Sequence, residues 1–270
     1  MLKEFFVEES KSITSLLEEK LGIGYFSVQK ILKNKDIKVN GKRTSTNLEL
    51  KIGDKVEVYY KELLQKKLYD IIFENQDILV ITKPKGILSE TVFESLKDKA
   101  FFIHRLDRNT SGIMIFAKNE MANQELLKGF KNRTFEKYYN ATLYGHLKKD
   151  KEVLTAYLKK NKEDSLVSIF DKKVEGSVKI ITEYKVLKKL VEKDIPITEV
   201  EILLHTGKTH QIRAHFAHIG HFVIGDGKYG KGEINKILKK TKQELTASRL
   251  TLHFESESPL YYLDNKTFEL

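Results

Sequence analysis

The stretch HRLDRNTSGIMIFAK, residues 104–118, sets one carboxylate, Asp107, between Arg105 and Arg108 and then runs into a turn and an apolar segment. Neighbouring guanidinium groups favour an ionised carboxylate. Such a group is a poor general acid and suits a nucleophile, a base or an electrostatic stabiliser. A surface salt bridge at a turn would account for the same residues without any chemistry. Asn109-Thr110-Ser111-Gly112 has turn chemistry, and IMIFA reads as a buried strand. Asp107 is therefore expected on a loop entering a core strand, on a rigid support.

A second stretch, LLHTGKTHQIRAHFAHIGHFVIGDGKYG (203–230), is dense with polar side chains. GKT at 207–209 has the end of a phosphate-binding P-loop, but position 202 is Ile where that motif needs glycine, so this reading fails. His205, His210, His215, His218 and His221 lack the paired-histidine spacing with an intervening glutamate, and the chain has no cysteine, so no metal site is expected. Residues 208–220 have helical spacing up to Gly220. A helix there would aim Arg213 and Ile212 at one pocket, and Arg213 paired with Asp107 would orient the carboxylate. In RTFEKYYNATLYG (133–145), Tyr138 and Tyr139 alternate along a strand, so only one faces a given cleft. There it would stack on a base; otherwise it is a core aromatic.

The elements that must carry these groups are mostly strands. YDIIFENQDILVITKPKG (69–86) reads as strand, turn, strand and a Pro-Gly loop, and KYYNATLYG, SVKIITEYKVL and ITEVEILLHT read as further strands. NEMANQELLKGFKN (119–132) is helical, with Asn119 as N-cap. Together they give an α+β domain with a mixed, mostly antiparallel sheet and helices at its sides. Ahead of it lies a smaller unit. SITSLLEEKL (12–21) and SVQKILKN (27–34) read as helices capped by Ser12 and Ser27, followed by a hairpin at Asn40-Gly41 and a strand in KIGDKVEVYY. KELLQKKL (61–68) reads as the connection, which puts the domains at 1–60 and 61–270.

Hydrophobic content of 40% permits a core across 270 residues, and the net charge of +10 calls for a polyanionic partner, nucleic acid before membrane. Residues 30–43 concentrate this charge: Lys30, Lys33, Lys35, Lys38, Lys42 and Arg43 stand against Asp36 alone. The absence of cysteine excludes disulfides and fits a cytoplasmic protein. MLKEFFVEES has no signal-peptide core, and no stretch reads as a membrane span.

FSVQKILKNKDIKVNGK with the later GDKVEV resembles the S4 RNA-binding domain, which implies that Lys30, Lys33, Lys42 and Arg43 contact structured RNA. KPKG, HRLDRNTSG, the Tyr139 strand and TGKTHQIRAH with IGD and YG resemble the RluA-type pseudouridine synthases over residues 70 to 260. That resemblance implies a mixed sheet with a central cleft and cofactor-free isomerisation of uridine to pseudouridine in RNA, most of it large-subunit rRNA and some of it tRNA. By residue matching, Asp107, Tyr139 and Arg213 carry the catalysis. Arg133, Phe135, Lys137, Tyr139 and Ala141 fall on the family pattern, which selects Tyr139 over Tyr138. Ile212 lies under the base, and His104, Arg105 and Lys83 are substrate contacts. The chain departs from the family with Lys208 for arginine, Phe222 for proline, Thr246 for histidine, and ILSETVFESL after KPKG.

The scheme has a uridine leave its stack, Asp107 attack C1′ or remove the 2′ proton, and the detached uracil turn between Tyr139 and Ile212 and rejoin through C5. Tyr139 or a water is the candidate C5 base. No metal or cofactor is expected, and a monomer is. Two rival readings remain at this stage: a non-catalytic ribosome-assembly factor, and a glycosidase with Asp226 as second carboxylate, although IGDGKYG makes Asp226 look like a turn residue.

Overall fold

The computed structural model describes every residue except 1, 22, 24, 60–67, 97, 98 and 162–165. The chain divides into two compact units, Met1–Lys67 and Leu68–Leu270. The expected connection at 61–68 lies, all but its last residue, outside the described residues.

In the first unit, strands Leu2–Phe6, Lys55–Tyr59, Ile37–Val39 and Lys42–Thr44 form an antiparallel sheet in that order. Asn40 and Gly41 both have positive φ, 48° and 79°, the backbone that a two-residue hairpin of matching twist requires. Helix Ile13–Leu21 begins where expected, and the Ser12 hydroxyl accepts from Ser15 N–H at 3.2 Å. The second helix, Tyr25–Lys33, starts earlier than the sequence suggested. Ser27 therefore lies inside it and is no cap; Tyr25 and Phe26 do not oppose helix, so the helix extends back to them. Ile13, Leu16, Leu17, Val28, Ile31 and Leu32 from the helices pack on Ile37, Val56 and Val58 of the sheet. Lys30, Lys33, Lys42 and Arg43 are all exposed.

The second unit is built on one large sheet. Its strands run Val167–Phe170, Lys151–Lys160, Val178–Glu192, Ile195–Leu204, Glu136–Tyr144, Leu245–Thr251, Ser111–Ala117, Ile78–Lys83, Asp70–Glu74, with two short strands off this path. Among the described residues the one parallel pairing joins Ser111–Ala117 to Leu245–Thr251. The sheet is otherwise antiparallel, as expected. Helix Glu120–Asn132 follows Asn119, whose side chain accepts from Ala122 N–H at 2.9 Å. The last main helix, Gln211–His218, is shorter than the 208–220 expected, because Lys208–His210 form its entry turn and His210 adopts φ 54°.

Gly112 fixes the sheet's centre. It pairs with Ala247, which in turn pairs with Tyr139, so the three lie in one row across adjacent strands. A Cβ at Gly112 would stand 2.2 Å from the Ala247 carbonyl oxygen, and its φ of +117° is one that side-chain-bearing residues avoid. Gly112→Ala is therefore expected to lower stability by about 3 kcal/mol or more, from overpacking and backbone strain together. A urea unfolding midpoint close to wild type would contradict that close approach.

Candidate active site

Asp107 sits on the loop between the short strand Phe101–Phe102 and Ser111–Ala117, and that loop is tied at nearly every residue. The His104 Nε2 accepts from Ile115 N–H at 3.1 Å. Leu106 donates its N–H to, and accepts from, the buried Ser89 hydroxyl at 3.0 and 2.9 Å. The Asp107 carbonyl accepts from Thr110 N–H at 3.0 Å, and the Arg108 carbonyl from Gly86 N–H at 2.8 Å. Gln243 donates to the Thr110 hydroxyl at 2.6 Å. Ser89 opens the helix Ser89–Glu94 within ILSETVFESL, so the segment that departs from the family pattern is the one bracing this loop.

Neither flanking arginine holds Asp107. Arg105 is exposed and pairs with Glu90 at 2.8 Å, and Arg108 donates to the Gly86 carbonyl at 3.2 Å. The guanidinium that reaches the carboxylate is Arg213, donating from Nη1 to Asp107 Oδ2 at 2.7 Å. Arg213 is itself clamped from behind: its Nε and Nη2 donate to Asp226 Oδ2 and Oδ1 at 2.6 and 2.8 Å, a bidentate pair. Side-chain exposure falls along the series from 22% at Asp107 through 6% at Arg213 to 0% at Asp226. The Asp107 end of the cluster is thus the accessible one and the Asp226 end is sealed.

Burial alone would push the Asp226 carboxyl up. Its bonds to Arg213, that residue's charge, and the backbone N–H groups of Lys228 and Tyr229 outweigh burial and hold it below the usual carboxylate range. Burial likewise works against the Arg213 charge, and the two carboxylates raise its pKa above the ordinary value. Asp226 is both a turn residue, accepting from Lys228 N–H at 2.8 Å, and the partner that fixes Arg213. With both oxygens occupied and no exposed surface it is not available as the second carboxylate of a glycosidase. The turn is tight: a Cβ on Gly225 would meet the Lys242 carbonyl oxygen at 2.1 Å.

Tyr139 packs with Ile212 in one apolar cluster and with Leu106 and Ala247 in the next. Burial, then the nearby Asp107 charge, pushes its hydroxyl pKa up, so it stays a phenol and is no base in the free enzyme. Tyr138 faces elsewhere and stacks on the Arg249 guanidinium at 3.8 Å.

Of the expected substrate contacts, Lys83 is an interior support instead, and His104 is half-buried with its ring engaged by the protein. Lys83 is fully buried, and its ammonium donates to the carbonyls of Pro84, Ile87 and Arg108 at 3.1, 2.8 and 3.2 Å. Burial lowers its pKa to about 8 against the opposing pull of Asp107 and Glu90. His104 stacks on Phe130 with ring centres 4.6 Å apart, and burial followed by the Lys137 charge lowers its pKa to about 3, so it is neutral. Both brace the Asp107 loop from below. Lys30, Lys33, Lys42 and Arg43 belong to the other unit. His210, Asp226 and Tyr229 surround the site and were not expected there in these roles. Among the described residues no group of three or more His, Cys, Asp or Glu side chains could hold a metal ion, and no helix is long and apolar enough to cross a membrane.

Asp226→Asn would leave Arg213 underpaired in the interior and should cost about 3 kcal/mol of stability at neutral pH. The sign with pH follows from the depressed folded value. Asp226 stabilises fully above the unfolded aspartate pKa of about 3.9 and loses that contribution as pH falls through its folded value. The variant's stability should accordingly decline less steeply than wild type's below about pH 4. Parallel acid limbs in denaturant titrations would rule this out.

Residues 77–218 match the family model described as RNA pseudouridylate synthase. An uncharacterized RNA pseudouridine synthase of Aquifex aeolicus is 33% identical over 230 residues, covering 75% of this chain and 71% of that protein. The ribosomal large subunit pseudouridine synthase C of Buchnera aphidicola subsp. Schizaphis graminum is 30% identical, covering 92% and 85%. The structure titled human RNA Pseudouridylate Synthase Domain Containing 1 superposes with a TM-score of 0.62 at 26% identity, covering 70% of this chain and 80% of that one. Together with the sheet and the motifs it carries, these matches place the chain in the RNA pseudouridine synthase family, of the RluA type: it is an isomerase that converts uridine in RNA to pseudouridine.

Proposed function

We propose that Asp107 is the catalytic carboxylate, acting at the ribose of a uridine flipped out of folded RNA, and that the RNA is large-subunit rRNA. The observation that carries this is the exposure gradient across the ion cluster: a partly exposed carboxylate, held at 2.7 Å by a guanidinium that is itself clamped by two bonds to a sealed partner. A solvated surface bridge would have no reason for a fully buried third member. Arg213 positions the carboxylate, and Tyr139 offers an aromatic face beside Ile212 for the detached uracil. The isomerisation is redox-neutral and moves no group between molecules, so the scheme needs no metal or organic cofactor. The ion cluster completes itself within the chain, and the enzyme is read as a monomer.

The first unit is read as an S4-like RNA-binding domain. Its two helices and hairpin, and the exposed Lys30, Lys33, Lys42 and Arg43, support that reading. The rRNA assignment draws on the name of the Buchnera relative. On this reading the enzyme works in the cytoplasm, where its rRNA substrate would be met.

Chemical mapping of pseudouridine in rRNA and tRNA tests the reading, comparing a strain lacking the protein with strains rescued by wild type or by Asp107→Asn. Discrete rRNA positions should vanish and return only with wild type; the purified variant should be slower by at least about 10²-fold, the least expected for loss of an acting base or nucleophile. Restoration by Asp107→Asn would move the assembly-factor reading ahead, and changes confined to tRNA would reassign the substrate.

Replacing Lys30, Lys33, Lys42 and Arg43 together by glutamine should weaken rRNA binding and flatten its salt dependence by up to about four contacts' worth of slope, with the saturated rate unchanged. An unaltered slope would remove the first unit from the RNA interface.

A further inference from the structure

His210 is not used in the scheme above, yet its ring points at the reacting group. It precedes helix Gln211–His218 in the left-handed conformation, φ 54° and ψ 15°. For a non-glycine residue this costs on the order of 1 kcal/mol and persists only where the surroundings enforce it. They do: the neighbouring Gln211 side chain is bonded to the Thr206 hydroxyl, Lys208 N–H, the Ile181 carbonyl and the Thr182 hydroxyl.

The ring has two polar contacts. Its Nδ1 lies 2.9 Å from the Tyr229 hydroxyl, and its Nε2 lies 3.9 Å from Asp107 Oδ2, the oxygen that Arg213 also holds. The Tyr229 oxygen already accepts from Val167 N–H at 2.9 Å, which leaves its own proton to be donated to Nδ1. The imidazole proton is then on Nε2, facing the carboxylate. The opposite tautomer would turn the Nε2 lone pair on a negative charge and leave the phenol proton without an acceptor. Five side chains face this ring from two elements and a turn: Asp107 on its loop, Arg213 on the helix, and Asp226, Lys228 and Tyr229 on the turn that follows. Burial disfavours the charged ring, Asp107 and Asp226 favour it, Arg213 and Lys228 oppose it, and the balance lies below the ordinary histidine value.

We propose that His210 is a positioning residue for the reaction, fixed by Tyr229 as its neutral Nε2–H tautomer, which donates to Asp107 Oδ2 as the carboxylate engages the ribose. The proposal rests on Asp107 being the acting carboxylate. At 3.9 Å the contact is longer than a hydrogen bond, so it closes by about 1 Å when the site is occupied. A doubly protonated ring would add a second full positive charge to the oxygen that Arg213 already holds, making Asp107 a weaker nucleophile and base. Activity should therefore fall on the acid side as His210 protonates, at a pH below about 6.5.

The test is the saturated single-turnover rate on rRNA extracted from the strain lacking the protein, from about pH 5 to about pH 8, for wild type, Asp107→Asn, His210→Gln, His210→Leu and Tyr229→Phe. Glutamine keeps an N–H near the Nε2 position and does not titrate. His210→Gln should hold its neutral-pH rate within about 10-fold of wild type and lose the acid limb. His210→Leu should be slower by about 10²-fold across the range with RNA affinity unchanged, the scale of a misplaced reacting group. Tyr229→Phe frees Nδ1 and should move the acid limb to higher pH. A wild-type rate for His210→Leu, or an unchanged acid limb in both His210→Gln and Tyr229→Phe, overturns the proposal. If His210→Leu fails to melt cooperatively, the other two variants decide. Wild type forming no pseudouridine, or Asp107→Asn matching it, would overturn the functional reading and this inference with it, an outcome separate from active wild type with indifferent histidine variants.

Discussion

One guanidinium between two carboxylates organises the catalytic unit. Arg213 is 5% exposed, and a charge at that depth is tolerable only with its donors filled. Asp226 takes two of its bonds and Asp107 one, and Asp107 is the more exposed of the two carboxylates. Three separate pieces of chain must therefore meet with hydrogen-bond accuracy: the loop before Ser111–Ala117, the helix Gln211–His218 and the turn around Asp226. Moving any of them strands a buried charge, so the requirement is strict.

The supports are arranged to match. The Asp107 loop is fixed from the KPKG side by Lys83 and Gly86, from the next helix by Ser89, from its own strand by His104, and from the far side of the site by Gln243. Lys83 has the residue type of a surface contact and the environment of a core residue, and His104 is half-buried with both ring face and Nε2 engaged. In each case burial is repaid locally: three carbonyls receive one ammonium, and one imidazole nitrogen receives a backbone N–H. Arg105 stays at the surface, more than half exposed and paired with Glu90.

Much of this could be read in the sequence, with failures that have physical causes. Elements with a clean period or a strong cap were recovered: the Asn40-Gly41 hairpin, the Asn119-capped helix, and the apolar run after Gly112. The strand Leu245–Thr251 is absent from the strands read in the sequence, where only Thr246 is noted. Its alternation breaks because Tyr138 and Tyr139 pair with Arg249 and Ala247, leaving Ser248 bulged out and shifting the apolar residues by one. Lys151–Lys160 was missed because Val153 and Tyr157 lie on the face opposite Leu154, Ala156 and Leu158, which blurs the alternation. At the site, Asp107 stood out by its neighbours, but the neighbours were the wrong partners. The expected partner that does meet it, Arg213, lies 106 residues away and came from the helix and motif that carry it, since no local spacing reports a contact at that distance. Asp226 read as a turn residue is correct as far as sequence reaches; its second role exists only once the helix packs against it.

The position of Leu245–Thr251 has a consequence for how the molecule is made. It is a late strand in the chain and a central one in the sheet, lying between Glu136–Tyr144 and Ser111–Ala117. Until it is synthesised, the earlier strands can assemble only as two partial sheets, each with an unpaired edge where the missing strand belongs. Pairings of this sequence separation are slow to form, and open edges are where nascent chains associate wrongly. The Asp107 loop lies at that same seam, tied to Thr246 through Ser111 and to Gln243 through Thr110. A partly synthesised chain would thus have Asp107 and Arg213 in hand and no rigid frame to bring them together, so that activity toward RNA arrives only with the closing of the sheet.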